Sequence, residues 1–217
     1  MTPLPTTQRT ANCPNCGAAI RFLWSSAVQT TCEYCRSVIV RHGVNLDLVG
    51  EVSDLREDAS PVQIGSEGVF DGKAFVVVGR IQYEHDLGSW NEWHLLFNDG
   101  SGGWLADAQL EYAVSFLTKP MGPPPAAEHL FRGARFQWFG VLYEVTTITK
   151  ANYRGVQGEL PFEYWGKERI LFVDLRSPDG RFATIDFSES PPLLFTGRAV
   201  EFDELRLKNL RQFEDWT

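Results

Sequence analysis

From about residue 64 onward the chain alternates apolar and polar positions with a period of two, broken by glycine-bearing turns. Phe75, Val77 and Gly79 alternate with Val76, Val78 and Arg80 just after Phe70-Asp71-Gly72-Lys73. Asp-Gly between two such runs is a hairpin signal, because both central positions of a tight primed turn take positive φ. Asn98-Asp99-Gly100 leads in the same way into Gly103-Trp104-Leu105, and Pro178-Asp179-Gly180 separates Ile170–Leu175 from Arg181–Phe187. Strands this short and evenly spaced predict small antiparallel barrels rather than sandwiches. Ala18–Leu23 and Val38–Arg41 read as two further strands, with Ile20, Phe22, Val38 and Val40 forming an apolar cover. Helix signals are few. A short helix is expected over Asp47–Arg56, weakened by Gly50, and an amphipathic helix after a last strand within Glu201–Trp216.

The period-two segments resemble each other. Gly65, Phe70, Gly72, Phe75 and Val77 align with Gly133, Trp138, Gly140, Tyr143 and Val145 at an offset of 68. Trp90, Leu95, Leu96, Phe97 and Asp99 align with Trp165, Ile170, Leu171, Phe172 and Asp174 at an offset of 75, which places a seven-residue insertion in 152–161. A tandem pair of one β module is expected. The triproline at 123–125 cannot enter a helix or a sheet interior and marks a spacer. The organisation is therefore a head over 1–43, a connector over 44–63, and a first β module over 64–118. A proline-rich linker over 119–127 and a second module with a C-terminal extension over 128–217 complete it. The expected fold class is mainly β: an N-terminal zinc ribbon followed by two related, barrel-like antiparallel modules.

The head carries all four cysteines of the chain, as Cys13-x2-Cys16 and Cys32-x2-Cys35. Each pair can aim two sulfurs at one metal from a tight turn, and two such turns make a tetrahedral four-thiolate site. Zinc is the expected ion, with a structural role because no coordination position is left open. Iron is the alternative, weakened because Cys32-Glu-Tyr-Cys35-Arg36 lacks the glycine that Cys13-Pro-Asn-Cys16-Gly17 has. No run of eighteen apolar residues and no apolar leader occurs, so a cytoplasmic compartment is expected, where clustered cysteines bind metal rather than form disulfides.

Net charge is −8 for 217 residues. Residues 1–45 carry +3, so the acidity lies in the β body, a poor match for phosphate backbones. Arg21, Arg36 and Arg41 are weak candidates for phosphate contacts. A more distinctive box is Trp90-Asn91-Glu92-Trp93-His94. On a strand Trp90, Glu92 and His94 share a face opposite Asn91 and Trp93. Aromatic faces beside a carboxylate suit a cationic ligand, while the plainer expectation is Trp93 in the core, Trp90 over an edge and Glu92 in solvent. Trp165 matches Trp90, whereas Glu92 falls on Lys167 in the second copy. His85, between Glu84 and Asp86, is expected in a solvent-facing loop, and His42 on the surface. No nucleophile-base constellation, P-loop or dinucleotide motif is present, so no enzymatic activity is expected.

The chain resembles a bacterial family of unknown function, DUF4178. The resemblance runs through Cys13-Pro-Asn-Cys-Gly17, Cys32-Glu-Tyr-Cys35, Gly79-Arg-Ile-Gln-Tyr83 and Gly88-Ser-Trp-Asn-Glu-Trp-His94. It continues in Gly103-Trp-Leu105, Glu163-Tyr-Trp165 and Ala183-Thr-Ile-Asp-Phe-Ser188. Members of that family neighbour genes of polyamine aminopropyl transfer and of phage-shock-protein-A-like stress proteins. The resemblance implies an accessory or adaptor protein of a multiprotein system, and carries over no catalytic residue. Three roles stand as expectations: an adaptor for a protein partner, a sensor of a small cationic or polyamine ligand at Trp90 and Glu92, and a nucleic-acid-binding zinc ribbon. Oligomeric state is left open.

Overall fold

A computed structural model describes residues 9–42, 45–51, 55, 58–119, 122–163 and 169–213. Among them there is no α-helix, hence no helix long and apolar enough to cross a membrane. The head holds a two-stranded sheet, β1 (Arg9–Asn12) with β2 (Ala19–Phe22), and a three-stranded sheet of β3 (Gln29–Thr31), β4 (Ser37–His42) and β5 (Asn45–Glu51). The strand β5 replaces the start of the helix expected over Asp47–Arg56. Leu46 and Leu48 pair with Arg41 and Ile39 along the open edge of β4, and a period-two pair beside a free edge favours a strand.

The body consists of two five-stranded meanders. The first is β6 (Glu67–Phe70), β7 (Lys73–His85), β8 (Gly88–Phe97), β9 (Gly102–Ala108) and β10 (Glu111–Thr118). The second is β11 (Arg135–Trp138), β12 (Val141–Gly158), β13 (Ile170–Arg176), β14 (Arg181–Asp186) and β15 (Leu193–Val200). They do not close separately. The last strands, β10 and β15, pair antiparallel, and β12 also pairs with β7. Eight strands, β7–β10 and β12–β15, thereby form one ring, with β6 and β11 appended outside it.

The meanders repeat each other's backbone. Asp71-Gly72 and Phe139-Gly140 make the same positive-φ turn. The ladder irregularity at Val77/Gly79 recurs at Val145/Thr147. Gly65 N–H donates to the Val77 carbonyl as Gly133 N–H donates to that of Val145. All of these lie 68 residues apart. Beyond the second strand the spacing becomes 80 rather than the expected 75. Val77 pairs with Leu95 and Val145 with Leu175, and Gly100 N–H donates to Phe97 as Gly180 N–H donates to Ser177. The sequence match had aligned aromatic character, whereas pairing places Leu95 with Leu175. At this spacing Phe116, which faces Thr196, is also its counterpart, and the pairs Val114–Arg198 and Thr118–Leu194 exchange with each other. The β10–β15 seam is thus self-complementary, like a two-fold interface.

Two apolar cores flank the ring and one fills part of it. Outside the first meander, Phe75, Val77, Trp93, Leu95, Phe97 and Leu105 pack under Val62 and Leu205. Outside the second, Val145, Val173, Leu175, Ala183 and Ile185 pack under Leu130 and Ala134. Inside, Ile81, Tyr83, Trp104, Val156, Leu160 and Phe195 share a cluster with Val38 of the head. The helix expected within Glu201–Trp216 is a single 3-10 turn, Phe202–Leu205, ended by left-handed Arg206. Leu205 is buried in the first outer core, and Lys208 then pairs with Glu67. Trp216 lies outside the described residues.

Candidate functional site: a thiolate cluster and a barrel lumen

The cysteines are set by two matching knuckles. Gly17 N–H donates to the Cys13 carbonyl and Cys13 N–H to that of Ala18. Arg36 and Cys32 repeat the pattern with Cys32 and Ser37. Gly17 has a φ of 77° and Arg36 one of 58°, so the second knuckle makes the same turn without glycine. All four Sγ atoms lie within 4.8 Å of one another, with Cys13–Cys35 at 3.6 Å and Cys16–Cys32 at 3.7 Å. Sulfurs at the corners of a tetrahedron around a zinc ion sit about 3.8 Å apart, from a Zn–S bond of about 2.3 Å. The donor set therefore fits a metal ion held by Cys13, Cys16, Cys32 and Cys35. Ser37 Oγ and Ser37 N–H hold the Cys35 thiol down to about 6, while Cys16, against a backbone hydrogen bond from Ala18, is pushed up by burial and the neighbouring sulfurs. Ile20 and Phe22 cover the cluster as expected, but Ala27 and Ile39 join them in place of Val38 and Val40. The pleat of β4 sends Val38 the opposite way, into the body.

The second feature is a cavity of about 350 Å3 inside the ring. Every strand of the ring contributes to its lining. Trp90 and Glu92 face into it, as their shared strand face requires, together with Tyr83, Phe172, Asp174 and Asp186. Trp90 stacks on Tyr83 with centroids 5.0 Å apart and stands perpendicular to Phe172 at 5.5 Å. Its Nε1–H donates to Glu92 Oε1 at 3.1 Å. Glu92 is not in bulk solvent: burial pushes its carboxyl up to about 8 despite that hydrogen bond, and the carboxylates of Asp174, Asp186 and Asp107 add to the rise. Burial likewise raises Asp174 to about 6, against a hydrogen bond from Thr184. Arg176, also on the lining, pairs with Glu111 at 2.5 Å. Both meanders thus bring aromatic rings and carboxylates to the lumen, Tyr83, Trp90 and Glu92 from the first and Phe172, Asp174 and Asp186 from the second.

The remaining candidates fall elsewhere. Trp93 is in the outer core, where the Arg80 guanidinium lies 4.8 Å over its ring. His94 shares the lumen-side face but lies beyond the cavity, fully buried between Trp24 and Trp104. Its Nδ1–H donates to the Glu159 carbonyl at 3.0 Å, and burial holds it near 4, hence neutral. His85 is not in a solvent loop. It ends β7, half-buried, with its ring 5.7 Å from Trp90 on the cavity lining. His42 is exposed, as expected, 3.6 Å from Asp47. Trp165 and Lys167 lie outside the described residues; the true counterpart of Glu92 in the pairing pattern is Phe172. Arg21 and Arg36 are exposed on the head, while Arg41 Nη2 donates to the Ser25 carbonyl and its guanidinium lies 5.2 Å over Phe22. Asp174 and Asp186 carried no signal in the sequence, because nothing in a period-two strand tells which face turns into a closed ring.

A family model described as domain of unknown function (DUF4178) matches residues 63–202. No curated protein and no solved structure matches the chain.

Proposed function

The chain belongs to the DUF4178 family, and since that description assigns no activity, we propose a function from the lumen itself: a non-enzymatic binding protein that takes a small organic cation. The observation that carries it is a cavity of about 350 Å3 with Trp90, Tyr83 and Phe172 beside Glu92, Asp174 and Asp186. A cation over aromatic faces gains from their quadrupoles, more so when desolvated. Bringing it in also relieves carboxylates that otherwise repel one another in a low-dielectric space. A small polyamine is one such ligand. The two meanders are read as copies of one module. The head is read as a zinc ribbon, its zinc structural and the protein cytoplasmic.

Spermidine serves as the probe. It is expected to raise the melting temperature of the zinc-loaded protein at millimolar concentration, and Glu92→Gln or Trp90→Ala to abolish the rise while leaving the fold intact by circular dichroism. No shift with spermidine or with a monovalent amine such as tyramine overturns the proposal. The adaptor role is the second reading. Leu87 and Leu110, at adjoining turns beside the cavity-lining Gln109, are 85% and 84% exposed, and a protein partner would seat there. A nucleic-acid role has the least support, given the −8 charge and the commitment of Arg41 to Ser25 and Phe22.

A further inference from the structure

The thiolate cluster and the lumen share a wall. Trp104 lines the cavity. Behind it, away from the lumen, lies His94, with ring centroids 5.0 Å apart. Behind His94 lies Trp24 of the head, edge-on at 5.0 Å. The stack has no slack: a Cβ on Gly102 would come within 3.1 Å of His94 Nε2.

One buried residue, Glu159, holds both the His94 ring and the backbone of Trp24. The Glu159 carboxylate accepts the N–H groups of Leu23 at 2.6 Å and Trp24 at 2.8 Å, while its carbonyl accepts His94 Nδ1–H. The next residue, Leu160, exchanges backbone hydrogen bonds with Gln29, and its carbonyl also accepts Val28 N–H. Gln29 starts β3, which leads into Cys32. Past Cys35, β4 sends Val38 into the cluster that contains Trp104 and Leu160. Both strands that carry the second knuckle are therefore docked on the back of the lumen wall. Phe162, a few residues on, stacks against Trp104 at 5.8 Å from the cavity side.

We infer that the cysteine head is a structural part of the lumen, positioning Trp104 through Trp24, His94 and Glu159, so that metal at the thiolates and ligand in the lumen bind cooperatively. Without metal the two knuckles lose the contact that holds them together, because a head this small folds on its metal. Val28, Gln29 and Val38 then lose their fixed placement, and the wall behind Trp104 loosens. By reciprocity, a ligand that favours the ordered wall slows loss of the metal by the same coupling. The inference rests on the cation reading of the lumen and on metal binding by the cysteines. Trp24, His94 and Glu159 are positioning residues within it and touch neither ligand nor metal.

The test uses the full chain, zinc-loaded and zinc-stripped. Hydrogen exchange is read at residues 102–106 and 156–160, which lie outside the head. Stripping is expected to raise exchange in both segments while the β10–β15 seam stays protected. Spermidine affinity is expected to fall at least about five-fold on stripping, the low end of ordinary site-to-site coupling. In zinc-loaded Trp24→Ala, which keeps all four cysteines, spermidine affinity is expected to drop even though zinc is retained. Unchanged exchange at 102–106 and 156–160 after stripping overturns the inference, as does a spermidine affinity indifferent to both zinc and Trp24→Ala. If spermidine does not bind at all, the ligand reading fails, and the exchange result alone then decides whether the head holds the wall.

Discussion

The two meanders agree in turn, ladder irregularity and seam, and part company at one connection. In the first, β7 and β8 are joined by a turn at Asp86-Leu87. In the second, β12 runs on to Gly158 and eleven residues follow before β13, so the longer strand and its connection together add twelve residues, the change in spacing from 68 to 80. The added length does three things. Residues 152–158 pair with β7 and close the ring. Glu159 and Leu160 dock the head. Phe162 enters the lumen against Trp104. The backbone pattern common to both meanders supplies the scaffold, and the departure from it supplies both the enclosure and the link to the thiolates. The chemistry splits the same way, since Glu92 corresponds to Phe172 and His94 to Asp174.

The strongest way to break this comparison is to crowd each seam in turn. A Cβ on Gly197 would lie 1.8 Å from the Val114 carbonyl oxygen, in the self-complementary seam. Backbone cannot yield that far, so Gly197→Val is expected to cost more than about 4 kcal/mol and to unfold both meanders together. Gly158, with a φ of 71°, would place a Cβ 2.2 Å from the Val78 carbonyl oxygen in the other seam. Gly158→Val is expected to open the ring and release the head, yet to leave the β10–β15 seam protected in hydrogen exchange. Equal loss of protection in both seams would show that the ring is one cooperative unit and that the division into scaffold and closure is wrong.

The local grammar of the chain was readable. Cys-x-x-Cys turns, Asp-Gly hairpins and the spacing of 68 all depend on residues near one another in sequence, and each reappears in the structure. What failed depended on enclosure. Val38 and Ile39 are both apolar, and only docking of β4 decides that Val38 belongs to the lumen cluster and Ile39 to the thiolates. A ring with apolar packing on both sides makes inward and outward faces look alike, so the pattern puts Trp93 in a core, as found, but leaves Trp90 over an edge and Glu92 in solvent instead of in the lumen. The twelve-residue addition looked like seven because Phe97 and Phe172 are both aromatic, while their strand partners place them five positions out of step. Asp47–Arg56 looked helical because the free edge of β4 is a tertiary fact.

A finer test addresses the docking residue that the first meander lacks. Glu159 is a buried carboxylate whose charge is compensated by the N–H groups of Leu23 and Trp24 and by Arg41, though burial still raises its carboxyl above the ordinary range. Hydrogen bonds to a charged acceptor are worth about 1.5–3 kcal/mol. Glu159→Ala is expected to lower stability by about 2–3 kcal/mol in urea denaturation and to make the head sensitive to protease. Glu159→Gln, which keeps one acceptor oxygen, should lose about half of that. Stability unchanged by both would mean that the head is held by Leu160 and Val38 alone.

The smallest effect is a pH slope, and it separates the meanders by their lumen residues. Glu92 rises from an ordinary 4.5 to about 8, chiefly through burial. The folded chain therefore holds a proton at Glu92 that the unfolded chain has lost, and stability falls as pH rises through that interval. Asp174, raised to about 6, acts in the same direction at lower pH. His94, depressed from 6.5 to about 4, acts oppositely, since the unfolded chain takes up its proton first as pH falls. These contributions oppose one another below about pH 6.5. Above it, of the three, Glu92 alone still titrates, in a lumen whose other charges are Asp174, Asp186 and the Arg176–Glu111 pair. The ligand-free protein is expected to lose stability between pH 6.5 and 8, by no more than about 1.4 kcal/mol per pH unit. Glu92→Gln should flatten that slope and raise the melting temperature at the alkaline end. Saturating spermidine should flatten it as well, because the bound cation favours the ionised carboxylate. A decline that persists in Glu92→Gln would place the titrating group elsewhere and remove the buried carboxylate from the cation reading.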